Sequence, residues 1–441
     1  MGPDQIIRRD AVDTGRTYLC IDLKSFYASV ECVDRGLDPF KDNLVVADPE
    51  RSRTTICLAA SPAIKALGVP SRCRVYEIPK NIQYTMAPPR MKRYMEVSAQ
   101  IYGIYLRRIS AQDIHVYSID ECFIDATPYL SLYRTDARSL AQQLMDDVRE
   151  ECGICATAGI GTNLFLAKVA LDVTAKHVDD HIGYLDKREF RRKIWHHRPI
   201  TDIWQIGPNI ARRLEQRYGV RDLAGIVAMD EATLRREFGV GATHLMEHAR
   251  GIENCTIAQI QSYEPRQHSI SVGQVLTRPY MAGEALTVMR EMVDEGVLEL
   301  VGKRLACGHV SIWAGYHMTD LDWELAAAHR GPHAAASHKL VAHTSSREAL
   351  MGEVERLWGE VIDEGRMVKR LGLGFGALVA ERDAELTLFT DVEAERSERR
   401  LTQATIAVKQ RFGKNALVRG RSFREEATGR DRNAQVGGHN A

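Results

Sequence analysis

Three acids in two distant places could do metal chemistry. Asp22 closes the apolar run Tyr18-Leu19-Cys20-Ile21, and Ser118-Ile119-Asp120-Glu121 interrupts a second run far downstream. Hard divalent cations such as Mg²⁺ want oxygen ligands, and phosphoryl transfer is served by two such ions clamped between a few carboxylates. Each piece alone has a plainer explanation: an Asp after a strand serves as a helix cap or loop acid, and an Asp-Glu pair at a turn is solvated.

Local structure must bring these acids together. Tyr18 to Ile21 is rich in strand formers, and Leu23 to Glu31, without Gly or Pro, reads as the start of a helix, so Asp22 lies at a strand's carboxyl end. Ile114 to Tyr117 and Cys122 to Ala126 read as a hairpin with Asp120 and Glu121 near its turn. Neighbouring side chains on a regular strand point to opposite faces, so this pair can share a metal only where the backbone leaves the pleat.

The flanking text adds a second line of argument. Asp22-Leu23-Lys24-Ser25-Phe26-Tyr27-Ala28-Ser29-Val30-Glu31 and Tyr117-Ser118-Ile119-Asp120-Glu121-Cys122-Phe123-Ile124-Asp125 resemble, in content and separation, the two metal-binding motifs of Y-family DNA polymerases, the UmuC/DinB-type lesion-bypass enzymes. The resemblance implies that Asp22 and Asp120 bridge two Mg²⁺ ions. It also implies that Glu121 holds the ion activating the primer 3′-hydroxyl and that the Leu23 carbonyl helps ligate the ion on the triphosphate. The reaction it implies is in-line nucleotidyl transfer from a deoxynucleoside triphosphate, with charge stabilised by metals.

The same resemblance assigns substrate contacts. Tyr27 matches the steric gate, a flat ring beneath the sugar that leaves no room for a 2′-hydroxyl; Phe26 beside it fits substrate contact and core packing equally well. Gly159-Ile160-Gly161-Thr162-Asn163-Leu164-Phe165-Leu166-Ala167-Lys168 reads as strand, turn and helix start capped by Asn163, and implies a phosphate-contacting Lys168. The family commonly grips the triphosphate with a Tyr and, three residues on, an Arg; here those positions are Pro62 and Lys65. Ser61-Pro62 is good helix-start chemistry, so the fold survives, but Lys lacks the planar fork of Arg and the grip is looser or shifted to Arg51, Arg53 or Arg72.

Composition bounds the remaining readings. The 441 residues carry 59 basic and 59 acidic side chains, so nucleic-acid binding must rest on local patches such as Arg191-Arg192-Lys193 or Lys409 to Arg424. Length suggests several domains. No apolar stretch reaches the roughly 18 residues of a membrane span and the N-terminus does not look like a signal peptide, which together predict a cytoplasmic protein; the resemblance implies a bacterial, nucleoid-associated one. Nine cysteines read as reduced thiols. Cys152-Gly153-Ile154-Cys155 lacks a second ligand pair, and His329, His333, His338 and His343 lack fixed ligand spacing, so neither makes a convincing metal site. Gly372-Leu373-Gly374-Phe375-Gly376 reads as a strand and not as a nucleotide loop.

The predicted fold is α+β and multidomain, and the resemblance implies a right-hand polymerase with a ferredoxin-like palm. Residues 1–16 form an N-terminal extension, 17–25 and 90–175 the palm, 26–89 the fingers, 176–262 a helical thumb, 263–268 a linker, 269–423 the little finger with a C-terminal helix, and 424–441 a disordered tail. Within the thumb, Ile203 to Leu214 looks like a helix-hairpin-helix, which would bring Gly207, Arg212 and Arg213 to DNA; an αα-corner is the alternative. The little finger shows β-α-β-β-α-β order. Glu385-Leu386-Thr387-Leu388-Phe389 resembles the peptide by which bacterial polymerases dock on the sliding clamp, with Glu385 in place of Gln and with Leu386, Leu388 and Phe389 as anchors; a strand end is the plainer reading.

The resemblance implies a template-directed, error-prone DNA polymerase acting in DNA repair and the SOS response. Its partners are primer-template DNA, a deoxynucleoside triphosphate and the clamp, without a membrane. The alternatives are a catalytically silent accessory protein with the same fold and another palm-type phosphotransferase such as a nucleotide cyclase.

Overall fold

The computed structural model describes residues 15–49, 53–265, 268–319, 322, 331–385, 391–436 and 439–440. The chain divides into two compact units, Met1–Tyr263 and Glu264–Ala441.

The first unit is built on a five-stranded sheet. Its strands are β1 (Tyr18–Leu23), β5 (Ile114–Val116), β6 (Glu121–Asp125), β7 (Ala156–Gly161) and β8 (Ile182–Leu185), in spatial order β5-β6-β1-β7-β8. Two helices pack on it, α3 (Met91–Leu106) and α4 (Ala137–Cys152), and with β1, β5, β6 and β7 they form two interlocked split β-α-β units. The sequence dictates α4 at both ends: Asp136 accepts from Ser139 N–H at 2.9 Å, and Gly153 closes the helix at φ 67°, a conformation glycine adopts without strain. Leu140, Leu144 and Val148, spaced four apart, are fully buried against the sheet together with Leu19, Ile21 and Ile124.

β8 was not expected. It pairs in parallel with β7, so the sheet extends past residue 175, where the helical region was expected to begin. The strand is only four residues long and follows a polar stretch, too short for periodicity to reveal. Between α1 (Phe26–Asp34) and α3 lies a small sheet of β2 (Leu44–Val46), β3 (Ala59–Ala60) and β4 (Thr85–Ala87), with its own apolar cluster. Short helix α2 (Pro62–Ala66) follows β3, capped by Ser61, whose hydroxyl accepts from Ile64 N–H at 3.4 Å.

Helix α5 (Leu164–Val169) crosses β7 so closely that β7 tolerates no side chain there. A Cβ on Gly159 would lie 2.1 Å from the Ala167 carbonyl oxygen, and one on Gly161 2.2 Å from Ala167 N. The helix runs on through a π turn over Ala170–Thr174. The remainder of this unit is helical: α6 (Lys187–Lys193), α7 (Pro208–Tyr218), α8 (Leu223–Ala228), α9 (Glu231–Phe238) and α10 (Gly241–Ala249) share one apolar cluster with α5. The helix expected to precede Gly207 in a helical hairpin is a single 3-10 turn, Ile200–Asp202.

In the second unit, β9 (Ile270–Tyr280), α11 (Ala282–Gly302), β10 (Leu305–Tyr316), β11 (His333–Thr344), α12 (Arg347–Val361) and β12 (Val368–Ala380) follow in the expected order, and the glycines between 372 and 376 lie in β12. The sheet order is β11-β10-β12-β9, so the strands interlock differently from those of the first unit. Helix α13 (Val392–Phe412) is followed by a segment that departs from expectation. Residues 424–436 are not a disordered tail; they pack on α11, where Thr428 and Gly429 both donate their backbone N–H to Glu291 Oε2 at 2.9 Å. Polar composition concealed this because backbone groups and one buried carboxylate hold the segment, not apolar side chains.

Gly161→Ala tests the close crossing of α5 and β7. Because the clash is with backbone, the expected cost is at least about 3 kcal/mol, read as a lower urea midpoint or loss of folded protein. A midpoint within error of the parent would contradict that packing.

Candidate active site

The site grows from the register of two central strands. β1 and β6 are antiparallel with Asp22 directly opposite Glu121, so both side chains leave the same face of the sheet, their Cα atoms about 5 Å apart. Asp120 lies in the turn before β6, where Leu23 N–H donates to its carbonyl at 2.9 Å. α3 fixes that turn from behind through Ser98 Oγ, which donates to the Ile119 carbonyl at 2.6 Å. The turn lets Asp120 and Glu121, neighbours in sequence, approach Asp22 together.

Electrostatics reports the crowding. Burial, followed by the charges of Asp120 and Glu121, pushes the Asp22 carboxyl up to about 7, against a smaller opposing pull from Lys168. Tyr27 is raised too, by burial and by Asp120, with Arg72 opposing, which puts its phenol within reach of the same field.

The three acids do not close on one point. Among the described residues, no three of His, Cys, Asp or Glu stand close enough to hold one metal ion. In this arrangement the expected trio is not gathered around a single point, and Lys168 holds Glu121. Lys168 was expected to face phosphate; the residue is 8% exposed, and its ammonium sits 2.9 Å from Glu121 Oε1 and 3.0 Å from Asp172 Oδ1. Burial opposes its charge, but Asp172, Cys20 and Glu121 outweigh burial and raise its pKa. Glu121 also accepts from the Cys20 thiol at 3.1 Å, and Asp120 accepts from Ser118 Oγ at 2.6 Å. Like charges at close range separate unless a cation stands between them, and here a lysine takes that place for Glu121.

Tyr27 is held from one side. Its ring stacks on Tyr94 with centroids 4.4 Å apart and planes 14° apart. Tyr94 donates its hydroxyl to Glu31 Oε1 at 2.8 Å, and that fully buried carboxylate also takes Arg90 at 2.8 Å and Arg35. Phe26 is 2% exposed and belongs to the core, as does the Leu23 side chain, which leaves only main chain at the end of β1. Lys65 donates to Ser25 Oγ at 2.7 Å; burial lowers its pKa, Asp22 raises it and Lys176 lowers it, so both lysines stand within electrostatic range of the acids' neighbourhood. Lys176 is exposed and was missed, since the π turn over Ala170–Thr174 that carries the chain toward it has no sequence signature. Asp172 was legible in principle, being four residues after Lys168 on one helical face.

The remaining expected residues lie elsewhere. Gly207 opens α7, with nothing within 4 Å of where a Cβ would stand. Arg213 is occupied, donating to Glu237 Oε1 at 2.7 Å and lying over the Phe238 ring at 4.8 Å, and Arg212 is exposed, donating to Asn209 Oδ1 at 3.0 Å. Glu385 is described, while Leu386, Leu388, Phe389 and Arg51 lie outside the described residues. His338 pairs with Glu353 at 2.8 Å, and all nine cysteines are free. Among the described residues no helix is long and apolar enough to cross a membrane.

Comparison with known proteins decides what such a site belongs to. Residues 21–172 match the impB/mucB/samB family, and residues 267–388 match that family's C-terminal domain. DNA polymerase IV 2 of Bacillus subtilis is 29% identical over 422 residues, covering 95% of this chain and 97% of the relative. The namesake from Halalkalibacterium halodurans is 27% identical over 434 residues, with 95% and 98% covered. The chain belongs to the Y family of DNA-directed DNA polymerases. Its fold agrees: a solved Y-family polymerase chimera superposes with a TM-score of 0.63 at 20% identity, covering 82% of this polymerase and 99% of the other. Members of the family depend on divalent metal, and these acids are the oxygen donors such an ion prefers.

The crowding of Asp22 predicts a stability effect. Its folded pKa of about 7 lies above the unfolded value of about 3.9, so the ionised carboxylate destabilises the metal-free fold increasingly as pH rises between those values and fully above the upper one. Asp22→Asn is expected to raise the metal-free melting temperature by roughly 2–5 °C at about pH 8, with the gain shrinking toward about pH 5. A lower or pH-independent melting temperature would contradict the electrostatic reading.

Proposed function

We propose that this polymerase extends a primer by two-metal nucleotidyl transfer with Mg²⁺, and that it copies damaged template. The observation that carries this reading is the strand register that sets Asp22 across from Glu121 with Asp120 in the adjoining turn. The donor set fits the ions: all three are carboxylates, and the Asp22 charge is opposed by burial and then by its acidic neighbours, which cations would offset. Bound there, the ions supply charge stabilisation for the attacking 3′-oxygen and the departing pyrophosphate.

The chain's own residues do the rest. Asp22 and Asp120 would serve both ions and Glu121 the one at the primer, with the Leu23 carbonyl beside the triphosphate. For Glu121 to ligate, its carboxylate must turn from Lys168, which keeps Asp172 as a partner. The triphosphate is then gripped by Lys65 and Lys176, while Lys168 stays paired with Asp172. Tyr27, backed by Tyr94 and the Glu31 network, is the steric gate.

In hand terms, residues 17–25 and 90–185 serve as palm, 26–89 as fingers, 186–262 as thumb and the second unit as little finger. Gly207 and Arg212 are offered as strand contacts through the start of α7, and Glu385, Leu386, Leu388 and Phe389 as the clamp-docking peptide.

Primer extension on undamaged and damaged template tests the reading. Asp120→Ala is expected to lower the rate by about 10³-fold or more, and Tyr27→Ala to retain extension while admitting ribonucleotides at least about tenfold more readily. Extension unaffected by Asp120→Ala would overturn the catalytic assignment, and unchanged sugar discrimination would remove the gate.

A further inference from the structure

The second unit carries a cavity of about 320 Å³ at the junction of α11, α12 and the C-terminal segment, lined by Thr287, Arg290, Glu355, Arg421 and Arg424. Its charges do not balance. Arg290 pairs with Glu355 at 2.7 Å. Asp294, one helical turn farther on, is shared among Arg347 at 2.5 Å, Arg419 at 3.2 Å and Arg421 at 3.9 Å. Arg424 stands 3.8 Å from Glu426, whose carboxylate already accepts from Thr287 Oγ1 at 3.1 Å. The lining itself holds three guanidiniums, of Arg290, Arg421 and Arg424, and one carboxylate, of Glu355. Arg421 shows the deficit most directly: one terminal nitrogen is buried without a hydrogen-bond partner, and burial, with a smaller push from Arg347, Arg290 and Arg419, lowers its pKa against the opposing pull of Asp294.

An unpaired, buried guanidinium nitrogen costs free energy unless an acceptor enters. The walls are fixed before one does, because Thr428 and Gly429 anchor the C-terminal segment on Glu291 and Arg432 donates to Gln274 Oε1 at 3.0 Å. Donors reach the cavity from α11 and from two positions of the C-terminal segment. A planar carboxylate takes its donors in one plane, whereas a tetrahedral oxyanion accepts from several directions.

We propose that this cavity is a binding site for a phosphate group, held by Arg290, Arg421 and Arg424 and separate from the polymerase active site. The group is either free, as inorganic phosphate or the pyrophosphate released by synthesis, or part of a DNA strand. Binding closes the C-terminal segment more firmly on α11.

Hydrogen exchange over residues 419–433 of the full chain, without divalent metal, reads this locally. Inorganic phosphate, pyrophosphate and a short single-stranded oligonucleotide are the probes. At least one is expected to slow exchange there saturably; protection by the inorganic anions alone identifies a free ligand, and protection by the oligonucleotide alone identifies a strand. Arg424→Ala, at a position whose side chain is 62% exposed, should leave the fold intact and weaken the protecting ligand about tenfold, and Arg424→Glu should abolish protection. No protection by any probe, or protection undiminished in both variants, would overturn the site.

Discussion

The arrangement depends on holding like charges together. Asp22 and Glu121 face each other across paired central strands, and Asp120 is folded toward them by the hairpin turn, although their repulsion favours separation. The sheet imposes the meeting, because register fixes which residues oppose and α3 fixes the turn. Lys168 absorbs part of the strain by taking Glu121 and Asp172 at about 3 Å. The site is thus built around a demand for positive charge, met by an ammonium in one state and, in the proposed reaction, by divalent ions.

The surroundings are stiff where that demand is greatest. Gly159 and Gly161 let α5 lie on β7 with no intervening side chain, which places Lys168 beside β6 and not above it. On the other flank, the buried Glu31 carboxylate gathers Arg35, Arg90 and Tyr94 and so fixes the ring on which Tyr27 stacks. Breaking that network by removing one partner costs about 3–5 kcal/mol in comparable settings, so the position of Tyr27 is bound to global stability.

Much of this was legible in the residues. The capped ends of α4, the Ser61-Pro62 start of α2, the hairpin around Asp120 and the element order of the second unit follow from local rules and agree with the structure. Other features depend on partners distant in sequence. Strand β8 is too short for a pattern and exists because β7 offers an edge. The C-terminal segment reads as polar and loose, yet Glu291, more than 130 residues away, organises it. Lys168 was read from its motif as a phosphate ligand, whereas tertiary contact shows it neutralised by acids that sequence spacing only half revealed. Lys176 follows a π turn over Ala170–Thr174 and stands in a 3-10 turn of its own, outside any helical periodicity.

Manganese titration followed by electron paramagnetic resonance, with primer-template and an unreactive nucleotide analogue present, bears most directly on the acidic site. The parent should bind two ions per chain, Glu121→Gln should lose or weaken one, and Asp22→Asn should weaken both. Two ions bound with parental affinity in both variants would contradict the assignment of these carboxylates as the cation site.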